Sequence, residues 1–352
     1  MRKQDRTKVL MVGPDRSVHG GISGVVNLYY EADLDRKIDL CYIGTMVDGN
    51  KLRKLLKAVQ AFLIFCLKVP CFQIVHVNVA SDSSYYRKSF FIKTAKLFQK
   101  KIVIHQHGGD FPNFYNKQLN KRGKEQVRKV FAMADRFLVL SSEWKEFFSC
   151  MVEESKIKVF PNAIQIPPAV DKQYGQHKIL FLGRLCKTKG IEELFIAMKE
   201  LLKEYPDLRL YLGGVWEDKE LKALTAGHSS HVIDLGWITG EEKNKYLSEC
   251  DLFVLPTYFE GQPVSVLEAM AYSCAVVASE VGGIPQMIED GRTGILIKPR
   301  DVSSLKDGLR RALGDTKLCA RLGENARRKV EADFSIEKSI DRLLWIYEDI
   351  LA

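Results

Sequence analysis

Leu252-Phe253-Val254-Leu255-Pro256-Thr257-Tyr258-Phe259-Glu260-Gly261-Gln262-Pro263-Val264-Ser265-Val266-Leu267-Glu268-Ala269-Met270-Ala271 reads as a strand, a loop and a helix in one stretch. Leu252–Leu255 is a continuous apolar run, as a parallel strand covered on both faces requires. Pro263 suits the first helical position, where its missing N–H costs little. Val264, Leu267 and Ala271 then recur at helical spacing. Gly261 permits an unusual turn or the close approach of a ligand. Glu260 therefore falls on the loop. Glu268 falls inside the helix, roughly 7 Å beyond its start at 1.5 Å per residue. Free N–H groups at a helix start attract anions. A carboxylate before such a site and another beyond it suit a ligand with hydroxyls on both sides of a diphosphate.

The same alternation runs outward in both directions. Ala275–Ala278 and Gly294–Ile297 read as strands, and Val302–Leu313, Thr316–Asp333 and Ser335–Leu351 as helices. On the other side lie strands Lys178–Gly183, Leu208–Gly213 and Val232–Leu235, with a helix at Ile191–Glu204. Val159–Pro168 breaks the pattern with three prolines and reads as a linker. Before it the alternation is repeated. Lys8–Gly13, Leu40–Ile43, Ile74–Asn78, Lys101–His105 and Arg136–Ser141 read as strands. Val25–Ala32, Leu52–Lys68, Ser89–Gln99 and Gln118–Ala134 read as helices. The expectation is α/β: two doubly wound parallel domains with the ligand in the cleft between them. The boundaries are 1–163, 170–334 and a terminal helix over 335–352.

The 352 residues carry a formal charge of +9, unevenly spread. Residues 1–160 hold 28 Lys and Arg against 15 Asp and Glu, and the remainder 25 against 29. The first half fits a surface facing nucleic acid or anionic lipid, or simply a solvated lysine-rich face. No helix-turn-helix, RRM or finger motif accompanies the charge, which argues against nucleic acid. The eight cysteines show no CxxC spacing and read as reduced, in a cytoplasmic setting. The longest apolar run, Ala58–Leu67, is far shorter than a membrane span of ~20 residues.

Four more segments carry chemistry. Gly183-Arg184-Leu185-Cys186-Lys187-Thr188-Lys189-Gly190 follows a strand and precedes a helix, where open α/β sheets bind ligands. Arg184 can grip phosphate oxygens with two donors, and Lys189 adds a point charge. Gly20-Gly21-Ile22-Ser23-Gly24 reads as a loop after the first strand, without the spacing of a dinucleotide or P-loop motif. In His105-Gln106-His107-Gly108-Gly109-Asp110, His107 is placed to meet a ligand, with Asp110 orienting it or bonding an acceptor. His105 reads as the last inward residue of its strand. No further ligands stand near the two histidines, so hydrogen bonding is favoured over a metal. Asp33-Leu34-Asp35 reads as solvated. Leu52–Lys68 and Tyr85–Lys101 interleave cations with apolar and aromatic residues. That pattern fits docking on anionic lipid, or core packing beside solvated lysines.

Together these motifs resemble the retaining glycosyltransferases of family 4. The resemblance covers essentially the whole chain and is strongest over 178–299. It implies the GT-B architecture, two Rossmann-like domains facing a central cleft. It also implies roles: Glu260 on the donor sugar, Glu268 on the ribose, and Arg184 and Lys189 on the leaving diphosphate. Gly261, Gln262 and Pro263 would line the sugar site, Gly236 and Ile238 the base site, and Gly20 and Gly21 the first loop. His107 would bond the donor sugar. Gln286 stands where a Glu is common. No metal or other cofactor is implied. The helix containing Trp345 would pack back on the first domain. The expected reaction moves a hexose from a nucleotide sugar, with UDP as the nucleotide, to a lipid-linked saccharide at the inner face of the membrane. A nucleotide-sugar 2-epimerase and a non-catalytic nucleotide or carbohydrate binder are the rival expectations.

Overall fold

The computed structural model describes residues 6–225 and 230–352. The first five residues of the domain expected from residue 1 lie outside it. The chain forms two compact units, one running through Gln165 and including Ile336–Ala352, the other Ile166–Ser335.

The first unit is built on six parallel strands: β1 (Lys8–Gly13), β2 (Asp39–Gly44), β3 (Ile74–Val79), β4 (Lys101–Gln106), β5 (Arg136–Val139) and β6 (Ile157–Val159). Their order is β2-β1-β3-β4-β5-β6. β3 is buried along its whole length, which is why it reads as near-continuous apolar sequence interrupted only by His76 and Asn78. Against one face packs an aromatic cluster in which Phe131, Phe137 and Phe148 meet at 5.0–6.0 Å between centroids. Each such side chain contributes roughly 1.5–3 kcal/mol by leaving water.

The second unit holds β7 (Lys178–Leu182), β8 (Arg209–Gly213), β9 (Val232–Gly236), β10 (Leu252–Leu255), β11 (Ala275–Ser279) and β12 (Ile295–Ile297). All pairings are parallel, in the order β12-β11-β10-β7-β8-β9. Counted within the unit this is the 3-2-1-4-5-6 order of a dinucleotide-binding sheet, and the winding reverses between β7 and β10. In open α/β sheets, ligands bind outside the carboxyl ends of the strands at such a reversal.

Several elements differ from the sequence expectation. The glycine-rich loop is mostly helix: Gly20 is the N-cap, with extended backbone, of Gly21–Glu31. The helix expected over 89–99 begins at Asp82 and ends at Leu97. Its first turns lack apolar periodicity, yet Tyr85 and Lys88 point inward. Pro263 sits one position outside its helix, as N-cap of Val264–Ala271. Helices Ser142–Ser149, Lys219–Leu224 and Gly240–Glu249 were not read from the sequence.

Candidate active site

The site of the second unit is set by two glycine contacts. Gly190 has φ +72°, a left-handed conformation suited to glycine. A Cβ there would stand 2.0 Å from the Pro256 carbonyl oxygen. Gly190 thus lets the loop after β7 lie directly on the loop after β10. Tyr258 N–H donates to Thr188 O at 2.9 Å and holds the two together. At Gly282, φ +54°, a Cβ would stand 1.8 Å from Glu260 O. Gly283 N–H donates to Gly261 O at 2.7 Å. The backbone of Glu260 and Gly261 is therefore clamped between neighbouring loops.

This packing brings Lys189 and Glu260 together, 71 positions apart in sequence: Lys189 Nζ donates to Glu260 Oε1. The two side chains are only 13% and 18% exposed, so solvent screens the pair weakly. Gln262, two positions on from Glu260, is buried. Glu268 lies on the following helix, where Lys243 Nζ donates to its Oε1 at 2.7 Å. Arg184 turns instead to Glu217, with NH1 at 3.1 and 3.2 Å from the two carboxylate oxygens. Arg184, Glu217 and Thr188 line an open cavity of ≈ 720 Å³. At the end of β9, Gly236 has φ +64° and Ile238 is buried, while Trp237 is 43% exposed. Lys243 and Glu217 escaped the sequence reading, because nothing in their own segments marks them as partners.

In the first unit, His107 follows β4 and its Nε2 lies 2.9 Å from Asn78 Oδ1. Asn78 Nδ2 donates to Val12 O, which turns its oxygen towards the imidazole. Asn78 therefore accepts, and Nε2 carries the proton of the neutral ring. Burial pushes the His107 pKa down to about 3, so the ring is neutral at ordinary pH. The His105 ring lies tilted against it at 3.9 Å between centroids, and His76 follows, also tilted, at 5.6 Å from His105. Burial and then His107 lower His76 to about 3, and burial with both neighbouring rings holds His105 well below the ordinary histidine value. His76 Nδ1 meets Tyr347 Oη at 2.6 Å. Asp110 is half-buried, its pKa raised by burial and then by Asp82. A Cβ at Gly20 or Gly21 would meet nothing within 4 Å, so packing does not demand glycine at either position. Asn78 was missed, although a polar residue two positions from His76 in an otherwise apolar strand is a readable signal.

No group of three or more His, Cys, Asp or Glu among the described residues is arranged to hold a metal. All eight cysteines are unpaired.

Two doubly wound parallel units with charged loops at a sheet reversal define a GT-B-type α/β protein. Residues 164–329 match the glycosyl transferases group 1. A sucrose-phosphate synthase from Thermosynechococcus elongatus superposes with TM-score 0.83 at 19% identity, over 98% of this chain and 99% of that one. Anabaena HepE, solved in complex with UDP and glucose, gives TM-score 0.78 at 15% identity, over 97% and 100%. The Campylobacter jejuni N,N'-diacetylbacillosaminyl-diphospho-undecaprenol alpha-1,3-N-acetylgalactosaminyltransferase is 31% identical over 59% of this chain and 53% of its own length. The matches span about half the length of most such curated relatives.

Proposed function

We propose that the protein is a retaining, metal-independent glycosyltransferase. It moves a hexose from a UDP-sugar to a lipid-linked saccharide at the inner, cytoplasmic face of the membrane. The Lys189–Glu260 pair at the reversal of the second sheet carries this reading. Breaking a glycosyl–phosphate bond develops positive charge on the anomeric carbon and negative charge on the diphosphate. Lys189 and Arg184 stabilise the leaving group as fixed charges, with no reorganisation at the moment of reaction. When the diphosphate takes Lys189, Glu260 is released to the sugar hydroxyls. Glu268, similarly held by Lys243, is the carboxylate for the ribose. The acceptor hydroxyl attacks on the face the diphosphate leaves, and the departing phosphate oxygen takes its proton. Anomeric configuration is thereby retained. His107, with Nε2–H tied to Asn78, offers Nδ1 as an acceptor for a donor-sugar hydroxyl. The likeness to HepE solved with UDP supports the choice of nucleotide. The name of the Campylobacter relative supports a lipid-linked acceptor.

Charge and apolar exposure support the membrane part. Residues 51–101 contain eleven Lys and Arg and one Asp, +10 against +9 for the whole chain. The rest of the molecule is therefore nearly neutral. The same segment exposes Leu52, Leu55, Leu56, Leu63, Leu67 (80%) and Phe90 (62%). Apolar anchors ringed by cations are what an anionic lipid surface binds. No helix among the described residues is long and apolar enough to cross a membrane.

The test is release of free nucleoside diphosphate from a panel of nucleotide sugars in EDTA, with and without membrane lipid extract. Lipid-dependent release from one UDP-sugar is expected. Lys189→Ala and Glu260→Ala should each lower it by about 10²–10³-fold, as loss of one charge-stabilising group does elsewhere. Release unaffected by both substitutions would overturn the reading. Donor consumption without a glycoside product would favour an epimerase.

A further inference from the structure

We propose that a second, anion-binding subsite lies in the first unit and holds the phosphate of an acceptor carried on a long apolar chain. This rests on the lipid-linked reading above and gives that acceptor a place. A cavity of ≈ 260 Å³ lies where β1 and β2 end, lined by Asp15, Arg16 and Tyr42 on the sheet side. Lys57, Gln60 and Ile64 of helix Lys51–Lys68 wall the other side. It is smaller than the ~300–1,000 Å³ that receives a whole small molecule, so it suits a head group.

Its charge is unbalanced in favour of anions. Lys57 Nζ stands 3.0 Å from Asp15 Oδ2. Arg16 has no carboxylate partner among the described residues. Its Nε donates to Asn27 Oδ1 at 2.8 Å and its guanidinium lies 3.8 Å from the Tyr30 ring centroid. Neutral groups thus hold the guanidinium in place while leaving its charge unmatched. Asp15 is itself anchored: Ser17 donates from both N–H (3.2 Å) and hydroxyl (2.9 Å) to Oδ1.

The helix supplies the apolar half. Lys57, Gln60 and Ile64 follow i, i+3, i+7 spacing and form one strip. Leu52, Leu56, Val59 and Leu63 follow i, i+4, i+7, i+11 spacing and form a second strip, exposed. At about 100° per residue, Leu56 stands a quarter-turn or so from Lys57, so the two strips adjoin. A phosphate in the cavity leaves its chain free to run along the exposed leucines. Neither a free phosphate nor a neutral lipid would use both strips.

The experiment is equilibrium binding of farnesyl phosphate below its micellar concentration, against farnesol and inorganic phosphate, with no nucleotide present. Farnesyl phosphate is expected to bind at least tenfold more tightly than either. Arg16→Ala/Lys57→Ala should weaken it at least tenfold, and Leu56→Gln/Leu63→Gln severalfold. Asp15→Asn, which removes the competing carboxylate, should tighten it severalfold, a gain that misfolding cannot produce. Lys189→Ala in the second unit should leave binding unchanged, so a failed transferase reading and a failed subsite give different results. Equal binding of farnesol, equal binding of inorganic phosphate, or an unaltered affinity in the double alanine variant would each overturn the subsite.

Discussion

The two units have sheets of six parallel strands with the reversal of winding at different places, and they handle charge in opposite ways. In the second unit each expected charged side chain at the site already has a partner: Lys189 with Glu260, Glu268 with Lys243, Arg184 with Glu217. In the first, residues 51–101 present ten more cations than carboxylates. Even the fully buried Lys88 finds only the Thr45 hydroxyl, at 2.8 Å, and its pKa is lowered by burial and then by Arg87. The pairs of the second unit rest in balance, and in the proposed reading they exchange partners when a charged ligand arrives. In the proposed reading, an anionic surface outside the chain balances the cationic excess of the first unit.

The largest expected effect tests that outside balance. Lys51, Lys54, Lys93 and Lys96 are exposed. Replacing all four by alanine should weaken binding to vesicles rich in phosphatidylglycerol by about 10³-fold, at about 1 kcal/mol per lysine near the surface. Equal flotation of the variant with such vesicles would dissolve the contrast between the units. Next comes Gly190→Ala. Positive φ and the 2.0 Å approach to Pro256 O together should cost the second unit upward of about 2 kcal/mol. Urea unfolding should show this loss while the first unit's transition stays put. An unshifted midpoint would mean that the two loops separate easily.

The smallest concerns pH. His76 titrates near 3 when folded and near 6.5 when unfolded. The unfolded chain therefore binds more protons between these values, and stability falls as pH drops through that window. His105 is shifted in the same direction. Full stability is present above about pH 6.5, and by pH 5 the buried His76 ring should have cost roughly 2 kcal/mol, with His105 adding in the same direction. The urea midpoint of the first unit, followed from pH 7 to pH 5, checks this. His76→Asn should flatten the profile, and a profile that stays as steep would remove the ring from the account.

The doubly wound class was legible because strands such as Leu252–Leu255 are continuous apolar runs between loops and helices, and the chain repeats that alternation on both sides of 159–168. Glu260 and Lys189 were each legible on their own loops. Their pairing was not, because it depends on β7 and β10 being neighbours, a fact of sheet order with no local signature. The early start of the Asp82–Leu97 helix was hidden for a different reason. Ser83-Ser84-Tyr85-Tyr86-Arg87-Lys88 has no apolar stripe, and its inward face carries a tyrosine and a lysine. The lipid-docking alternative and the core-packing alternative for Leu52–Lys68 share the same periodicity. Exposure separates them: Phe65 and Ala61 are core, and the leucines opposite are bare.

The helix Ile336–Leu351 belongs to the first unit although it is made after the second. Its Tyr347 reaches His76, and its Asp349 pairs with Arg136. On the ribosome the second unit therefore emerges entire while the first still lacks the helix that buries Ile340, Leu343 and Ile346. Domains generally fold in the order they are synthesised. Here that order is inverted for one of them: the unit begun first is finished second, and its open flank depends on a segment that arrives only after Ser335.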